Sequence, residues 1–178
     1  MEIACLAWGS LVWDPRDLPI ASTWYEDGPG VQVEFAHQSG GQRLTLVMGE
    51  SFQVVPSLWA WMDCSNLDDA IEGLRRREGT VTRKIGFWSV GDDTPKHIVD
   101  LPGWAVENRA DAVIWTALPP KFQGRDERIP SVDEALEYLS SLDDSSRQGA
   151  EKYVRKTPTQ VRTPYRSEFE RQLGWLPL

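Results

Sequence analysis

Apolar residues are grouped in short strand-like runs over the first 118 residues, whereas helical spacing dominates the last 50. The runs predict strands at 3–8, 31–37, 43–48, 53–62, 81–90 and 112–118. Ser39-Gly40-Gly41-Gln42 separates two of these runs and predicts a hairpin, and Pro56 indicates a bulge or an edge. The polar stretch 91–110 is typical of a loop.

Four segments show helical patterns. One helix begins at Ser65 or Asn66 and contains Glu78, and a capping box at 131–134 begins a helix over about 131–142. Further helices are expected over 145–155 and in a short segment that ends near Leu173. This segregation of strands and helices predicts a single α+β domain over residues 1–178, with a strongly curved or barrel-like sheet and flanking helices.

Glu78 occupies a position where a core residue is expected. Leu67, Ile71 and Leu74 follow the i, i+4, i+7 spacing of one helical face, and Glu78 falls roughly 20° from Leu67 on that face. A carboxylate that loses hydration binds its proton more tightly and can act as a general acid/base near neutral pH. Alternatively, Gly79 ends the helix and Glu78 turns into water at the last turn.

The composition excludes some classes of function. With 40% hydrophobic and 26% charged residues the chain is globular, and its net charge of −8 argues against nucleic acid as a partner. Residues 147–171 are an exception, since seven basic and three acidic side chains give them a net charge of +4. This segment is expected to pack on the acidic body, to hold an anionic substrate, or to form a solvated face.

Cys5 and Cys64 are too few for a disulfide framework and are expected to be buried thiols. Two histidines and two cysteines provide no zinc pattern, so no metal is expected. The N-terminal residues lack a secretory pattern, and no apolar stretch is long enough to span a membrane. The expectation is a cytoplasmic protein without membrane contact.

A turn follows directly after the first predicted strand. In Trp8-Gly9-Ser10-Leu11, the glycine allows the backbone to turn close to a ligand, and successive N–H groups can converge on an anion. An ordinary structural turn is the alternative interpretation.

Two motifs together resemble one known family. Trp8-Gly9-Ser10-Leu11-Val12-Trp13-Asp14-Pro15 resembles the Tyr-Gly-Ser-Leu-x-Trp-Asn-Pro signature of the gamma-glutamylcyclotransferase superfamily, especially its ChaC-like branch. Leu74-Arg75-Arg76-Arg77-Glu78-Gly79 is similar to the segment of that family that holds the catalytic glutamate. The resemblance covers roughly residues 3–90.

This resemblance implies a small mixed β-barrel with flanking helices and an intramolecular reaction. The α-amine of a γ-glutamyl group attacks its own side-chain carbonyl, which gives 5-oxoproline and a released amine or amino acid. Glu78 would be the general acid/base, and no metal or organic cofactor is implied. The partner is a small-molecule γ-glutamyl substrate, and the oligomeric state stays open. The implied substrate-binding residues are Trp8, Gly9, Ser10, Leu11, Trp13 and Tyr153.

The chain departs from the family pattern at several positions. Trp8 replaces the usual tyrosine, and an indole donates hydrogen bonds but cannot accept them. Asp14 replaces an asparagine, Thr80 follows Gly79 where a tyrosine is common, and the segment before Tyr153 lacks the family's asparagine.

Two other hypotheses remain. The first is a binding module that retains the pocket without the chemistry. The second is an enzyme with Ser10 or Cys5 as nucleophile, which requires a nearby base. The two histidines, His37 and His97, lie in a predicted strand and a polar loop, and no sequence pattern links either of them to Ser10 or Cys5.

Overall fold

Nine strands form two sheets in the computed structural model, which describes residues 1–178, and the two short strands at 121–122 and 125–126 were not predicted. In the first sheet, β1 and β7 lie at the centre and run parallel, with β5 and β6 at the edges. These strands are β1 (Ile3–Ala7), β5 (Leu58–Trp61), β6 (Ile85–Ser89) and β7 (Ala112–Thr116).

The second sheet is built on the predicted hairpin. It contains β2 (Gly30–Gln38), β3 (Leu44–Met48), β4 (Val54–Pro56), β8 (Lys121–Phe122) and β9 (Arg125–Asp126). A register shift between Phe35 and His37 bends β2 where it pairs with β3. The strands are thus divided between two sheets and do not close into the small barrel that the family resemblance implies.

Five helices complete the α+β fold, which confirms the predicted class. They are α1 (Leu67–Glu78), α2 (Leu101–Asn108), α3 (Val132–Ser141), α4 (Asp144–Lys156) and α5 (Pro164–Leu173). Asn66 caps α1 through Asp69 N, and the capping box at Ser131 and Glu134 is present, as the sequence predicts. None of the helices combines the length and the hydropathy that crossing a membrane requires.

Three segments of the predicted secondary structure differ in the structure. The expectation of a loop throughout 91–110 was wrong, because α2 buries Leu101, Trp104 and Ala105 on one helical face. The run at 53–62 is interrupted at Ser57, whose backbone N–H and hydroxyl both donate to the Pro29 carbonyl rather than continuing the strand. A 3-10 turn at Thr82–Lys84 delays the start of β6.

The first sheet separates two hydrophobic clusters. Ala4 and Leu6 face the cluster shared with the second sheet and α3–α5, whereas Ile3, Cys5 and Ala7 face the cluster that α1 covers. Because β1 is buried on both faces, its sequence is apolar at every position. The packing of α1 on this sheet brings the end of the helix close to the end of β7.

Candidate functional site

A cavity of about 320 Å³ opens where β1 ends. Since β1 and β7 are parallel, their carboxyl ends lie at the same edge of the sheet, beside the end of α1. Six of the seven predicted site residues line this cavity: Trp8, Gly9, Ser10, Leu11, Glu78 and Tyr153. Trp13 does not line it.

The Glu78 side chain lies at the cavity wall with 15% of its surface exposed. Its Oε1 accepts hydrogen bonds from Arg77 Nη1 at 2.8 Å and from Thr116 Oγ1 at 3.3 Å. The carboxylate therefore does not turn out into bulk water at the helix end. Gly79 takes the left-handed conformation expected after a helix, with φ of 62°.

The buried face of α1 differs from the predicted stripe. Its buried residues are Ala70, Gly73, Leu74 and Arg77, while Leu67, Ile71 and Glu78 are only partly buried. The apolar stripe is thus rotated relative to the prediction, and Glu78 lies at its edge, where a side chain can contact both the sheet and a cavity.

Arg77 is the main residue that the sequence interpretation missed. Its side chain is only 5% exposed, and it donates to the Asp14 carbonyl from Nε at 3.1 Å and from Nη2 at 2.6 Å. Nη2 also lies 3.3 Å from Ser10 Oγ. Arg77 therefore connects Glu78 to the turn after β1. Its spacing from Ala70 and Leu74 places it on the buried face, a signal obscured by the adjacent arginines.

The turn after β1 leaves backbone donors free. The Gly9 and Ser10 carbonyls accept hydrogen bonds from Val12 N and Asp14 N at 3.0 and 2.9 Å, which closes the turn. The N–H groups of Gly9, Ser10 and Leu11 have no acceptor within the protein. Because free amide donors are costly away from water, three at a cavity wall are suited to an anionic ligand.

Tyr153 brings α4 to the same cavity. Its hydroxyl accepts a hydrogen bond from the Leu46 N–H at 3.3 Å, which leaves the phenolic proton free to be donated to a ligand. Burial raises the pKa of Tyr153 to about 12, and the bond from Leu46 offsets only part of this effect. Tyr153 is therefore a neutral donor at physiological pH.

The two tryptophans of the turn have different roles. Trp8 Nε1 donates to the Leu46 carbonyl at 3.3 Å, so the indole that replaces the family's tyrosine anchors the turn to β3. Trp13 packs edge-on against Tyr153, with ring centroids 5.5 Å apart, and lines a neighbouring cavity.

Three further basic side chains line the cavity and are not among the substrate-binding residues that the family resemblance implies. They are Arg16, His37 and Arg43, from the turn after β1, from β2 and from the end of the hairpin loop. His37 Nδ1 lies 2.7 Å from the Pro119 carbonyl, which assigns the proton to Nδ1 in the neutral ring. The three arginines Arg16, Arg43 and Arg77 outnumber the single carboxylate of Glu78, so the field suits an anionic ligand.

The nucleophile hypothesis finds little support. Cys5 is fully buried away from the cavity, and burial raises the pKa of its thiol well above the ordinary value. Ser10 Oγ contacts Arg77 and no histidine, and His97 Nδ1 contacts Gln32. No three His, Cys, Asp or Glu side chains come together as metal ligands would.

Comparisons with known proteins identify no relative. No protein-family model matches the chain, no curated protein matches it, and no solved structure matches its fold.

Proposed function

We propose that this protein is an enzyme of the gamma-glutamylcyclotransferase type, which cyclises a γ-glutamyl group to 5-oxoproline and releases an amine. The observation that supports this most strongly is the shared cavity, where the Glu78 carboxylate and the free amides of Gly9, Ser10 and Leu11 come together. The turn motif and the glutamate motif lie far apart in sequence, so their meeting is a property of the fold.

The proposed reaction moves two protons between two nitrogens of the substrate. The α-ammonium must lose a proton before its nitrogen attacks the γ-carbonyl carbon, and it loses a second as the ring amide forms. The amide bond to the leaving nitrogen breaks, and that nitrogen gains both protons. Glu78 carries protons from the attacking nitrogen to the leaving nitrogen, and holding both reacting groups in one molecule favours ring closure.

The other residues of the cavity bind the substrate or position Glu78. The free amides of the turn hold the α-carboxylate of the γ-glutamyl group, and Tyr153 donates its phenolic proton to a substrate oxygen. Arg77 is a positioning residue, because it holds the Glu78 carboxylate and the Asp14 carbonyl in fixed places. We also propose that the two-sheet fold is a divergent form of the superfamily's barrel.

A binding module without catalysis is the alternative. Glu78 Oε1 already accepts hydrogen bonds from Arg77 and Thr116, which is the arrangement expected of a structural carboxylate. In this case the cavity would bind glutamate or 5-oxoproline without turnover.

Incubation with a panel of γ-glutamyl amines and peptides, followed by mass spectrometry for 5-oxoproline, tests the proposal. The wild type should release 5-oxoproline, and Glu78→Gln should lose at least 100-fold of the rate, as expected for removal of a general acid/base. Glu72→Gln is the matched control, because Glu72 lies in the same helix with its carboxylate on the outer surface. Equal turnover by wild type and Glu78→Gln would exclude the catalytic role, and binding of 5-oxoproline without any turnover would favour the binding module.

A further inference from the structure

A second cavity, of about 350 Å³, adjoins the one that contains Glu78. One face of α4 forms much of its wall, through Gly149, Lys152, Tyr153 and Lys156. These positions follow the i, i+3, i+4, i+7 spacing, so they point in one direction from the helix. The helix that supplies Tyr153 to the first cavity therefore presents two lysines to the second.

The charge of the second cavity is predominantly positive. Lys152, Lys156 and Arg43 line it, and none of the three forms an ion pair with a protein carboxylate. Asp14 is the acidic residue at its wall, and that carboxylate lies 3.4 Å from Arg16 Nε. Lys152 and Lys156 belong to the basic segment 147–171, and together with the exposed Arg43 they give this cavity a positive charge that attracts an anion.

The two cavities share part of their walls. Arg43 and Tyr153 line both, and Trp13 packs against Tyr153 on the side of the second cavity. At Gly149 an added Cβ would meet no atom within 4 Å, so the space above this part of α4 is open. A molecule that extends from Glu78 past Arg43 would therefore reach the lysines of the second cavity.

We propose that the second cavity binds a phosphate group carried by the amine that the reaction releases. This inference rests on the proposed function, since it assigns the far end of the substrate. The three cations of the second cavity favour a phosphate over a single carboxylate, because a phosphate monoester carries up to two negative charges at neutral pH. Lysine ammonium groups act on it as point charges, and Arg43 adds a planar guanidinium.

Binding of the released amine is the first test, because it requires no turnover. Isothermal titration calorimetry is performed with O-phosphoethanolamine and with ethanolamine as the uncharged-end control. The wild type should bind O-phosphoethanolamine at least tenfold more tightly than ethanolamine. Lys152→Gln/Lys156→Gln should lose at least fivefold of that affinity, whereas Arg83→Gln/Arg125→Gln, which removes two exposed cations outside these cavities, should retain it. Equal loss in both double variants would overturn the proposal.

Gly149 offers a test of charge at constant size. Gly149→Glu introduces a carboxylate into the second cavity, and Gly149→Gln introduces a neutral side chain of the same shape. A Cβ added at Gly149 meets no atom within 4 Å, so neither substitution clashes at this atom. O-phosphoethanolamine should bind the Gln variant at least tenfold more tightly than the Glu variant. Similar affinities for the two variants would show that charge in this cavity does not determine binding.

Turnover distinguishes phosphate from carboxylate. The matched substrates are the γ-glutamyl conjugates of O-phosphoethanolamine, β-alanine and β-alaninamide, and kcat/KM should fall in that order. A preference for the β-alanine conjugate would overturn the assignment to phosphate. If other γ-glutamyl amines yield 5-oxoproline and none of these conjugates does, the phosphate assignment fails and the proposed function stands. If no γ-glutamyl compound is turned over, the proposed function fails, and the calorimetry alone then decides whether the second cavity is an anion site.

Discussion

Arg77 connects the two motifs of the candidate site, and its burial makes it sensitive to substitution. Arg77→Met removes the cation beside Glu78 and leaves the Asp14 carbonyl without its donor. Since breaking a buried ion pair typically costs about 3–5 kcal/mol, the free energy of unfolding should fall by roughly 3 kcal/mol.

Urea unfolding measures this effect, and Arg76→Met is its control. The Arg76 side chain is 70% exposed, and a change at such a position typically alters stability by less than about 0.5 kcal/mol. If the two variants lose equal stability, Arg77 does not connect the turn to the helix.

Position 9 lies so close to the Tyr153 hydroxyl that a side chain larger than that of glycine would clash with it. A Cβ at position 9 would lie 2.6 Å from the Tyr153 hydroxyl oxygen but 3.6 Å from the ring carbon that carries it. Gly9→Ala should therefore cost about 1–3 kcal/mol of stability in the wild type through overpacking, and clearly less in a Tyr153→Phe background.

A double-mutant cycle in urea tests this contact. The coupling energy between positions 9 and 153 should be at least about 1 kcal/mol. Additive effects of the two substitutions would mean that a side chain at position 9 does not clash with the Tyr153 hydroxyl.

At the scale of the elements, glycine is favourable at a helix end that needs a positive φ and unfavourable inside a helix. Gly79 ends α1 with a positive φ, whereas Gly149 lies inside α4 with open space above it. Gly79→Ala should destabilise the protein by about 1 kcal/mol, and Gly149→Ala should stabilise it by about 0.5–1 kcal/mol.

Thermal unfolding of the two variants should give melting temperatures on opposite sides of the wild type. A stabilised Gly79→Ala would contradict the left-handed conformation at the end of α1, and with it the position of Glu78 at the last turn.

The helix ends are also where the sequence prediction was most reliable. Asn66 and Ser131 satisfy backbone donors within three residues of themselves, so their effect depends on local chain geometry alone. In contrast, α2 was missed because its eight residues begin at a proline-containing turn and its packing partners are distant in the sequence. Its burial of Leu101 and Trp104 becomes evident only in the assembled core.

At the scale of the whole molecule, Glu34 connects the second sheet to the C-terminal helix. It is 2% exposed, and its carboxylate accepts from Thr163 Oγ1 at 2.6 Å, Phe35 N at 2.8 Å and Tyr165 N at 3.2 Å. Burial raises the pKa of Glu34 to about 7, despite these hydrogen bonds.

A raised carboxyl pKa means that the folded state binds this proton more tightly than the unfolded state. The contribution of Glu34 to stability is therefore fully present below the ordinary carboxyl pKa of about 4.3 and is lost as the pH rises to about 7. The loss should amount to at most about 4 kcal/mol, since one pKa unit corresponds to about 1.4 kcal/mol.

Chemical unfolding at pH 4.5, 6 and 7.5 measures this dependence for wild type and Glu34→Gln. The difference in unfolding free energy between the two proteins should change in favour of Glu34→Gln as the pH rises. Parallel pH profiles would show that Glu34 does not titrate in this range.

Only part of the candidate site could be predicted from the sequence. Glu78 and the Gly9–Leu11 turn were predicted because each belongs to a contiguous motif with its own local geometry. Arg77 was missed since the stripe of α1 is rotated relative to the predicted one, and a helical periodicity does not specify the sheet against which the helix packs. Arg16, His37 and Arg43 come from separate segments, so no spacing could have brought them together.

The amino-acid sequence alone determined the fold class, the helix caps, the hairpin and the two motifs, because hydrophobic period, capping and turn chemistry act over a few neighbouring residues. The tertiary structure decided that the strands form two sheets, that Arg77 is buried beside Glu78, and that two cavities share Arg43 and Tyr153. These features depend on contacts between segments distant along the chain, which are set by how the two sheets and α1 bury their apolar faces together.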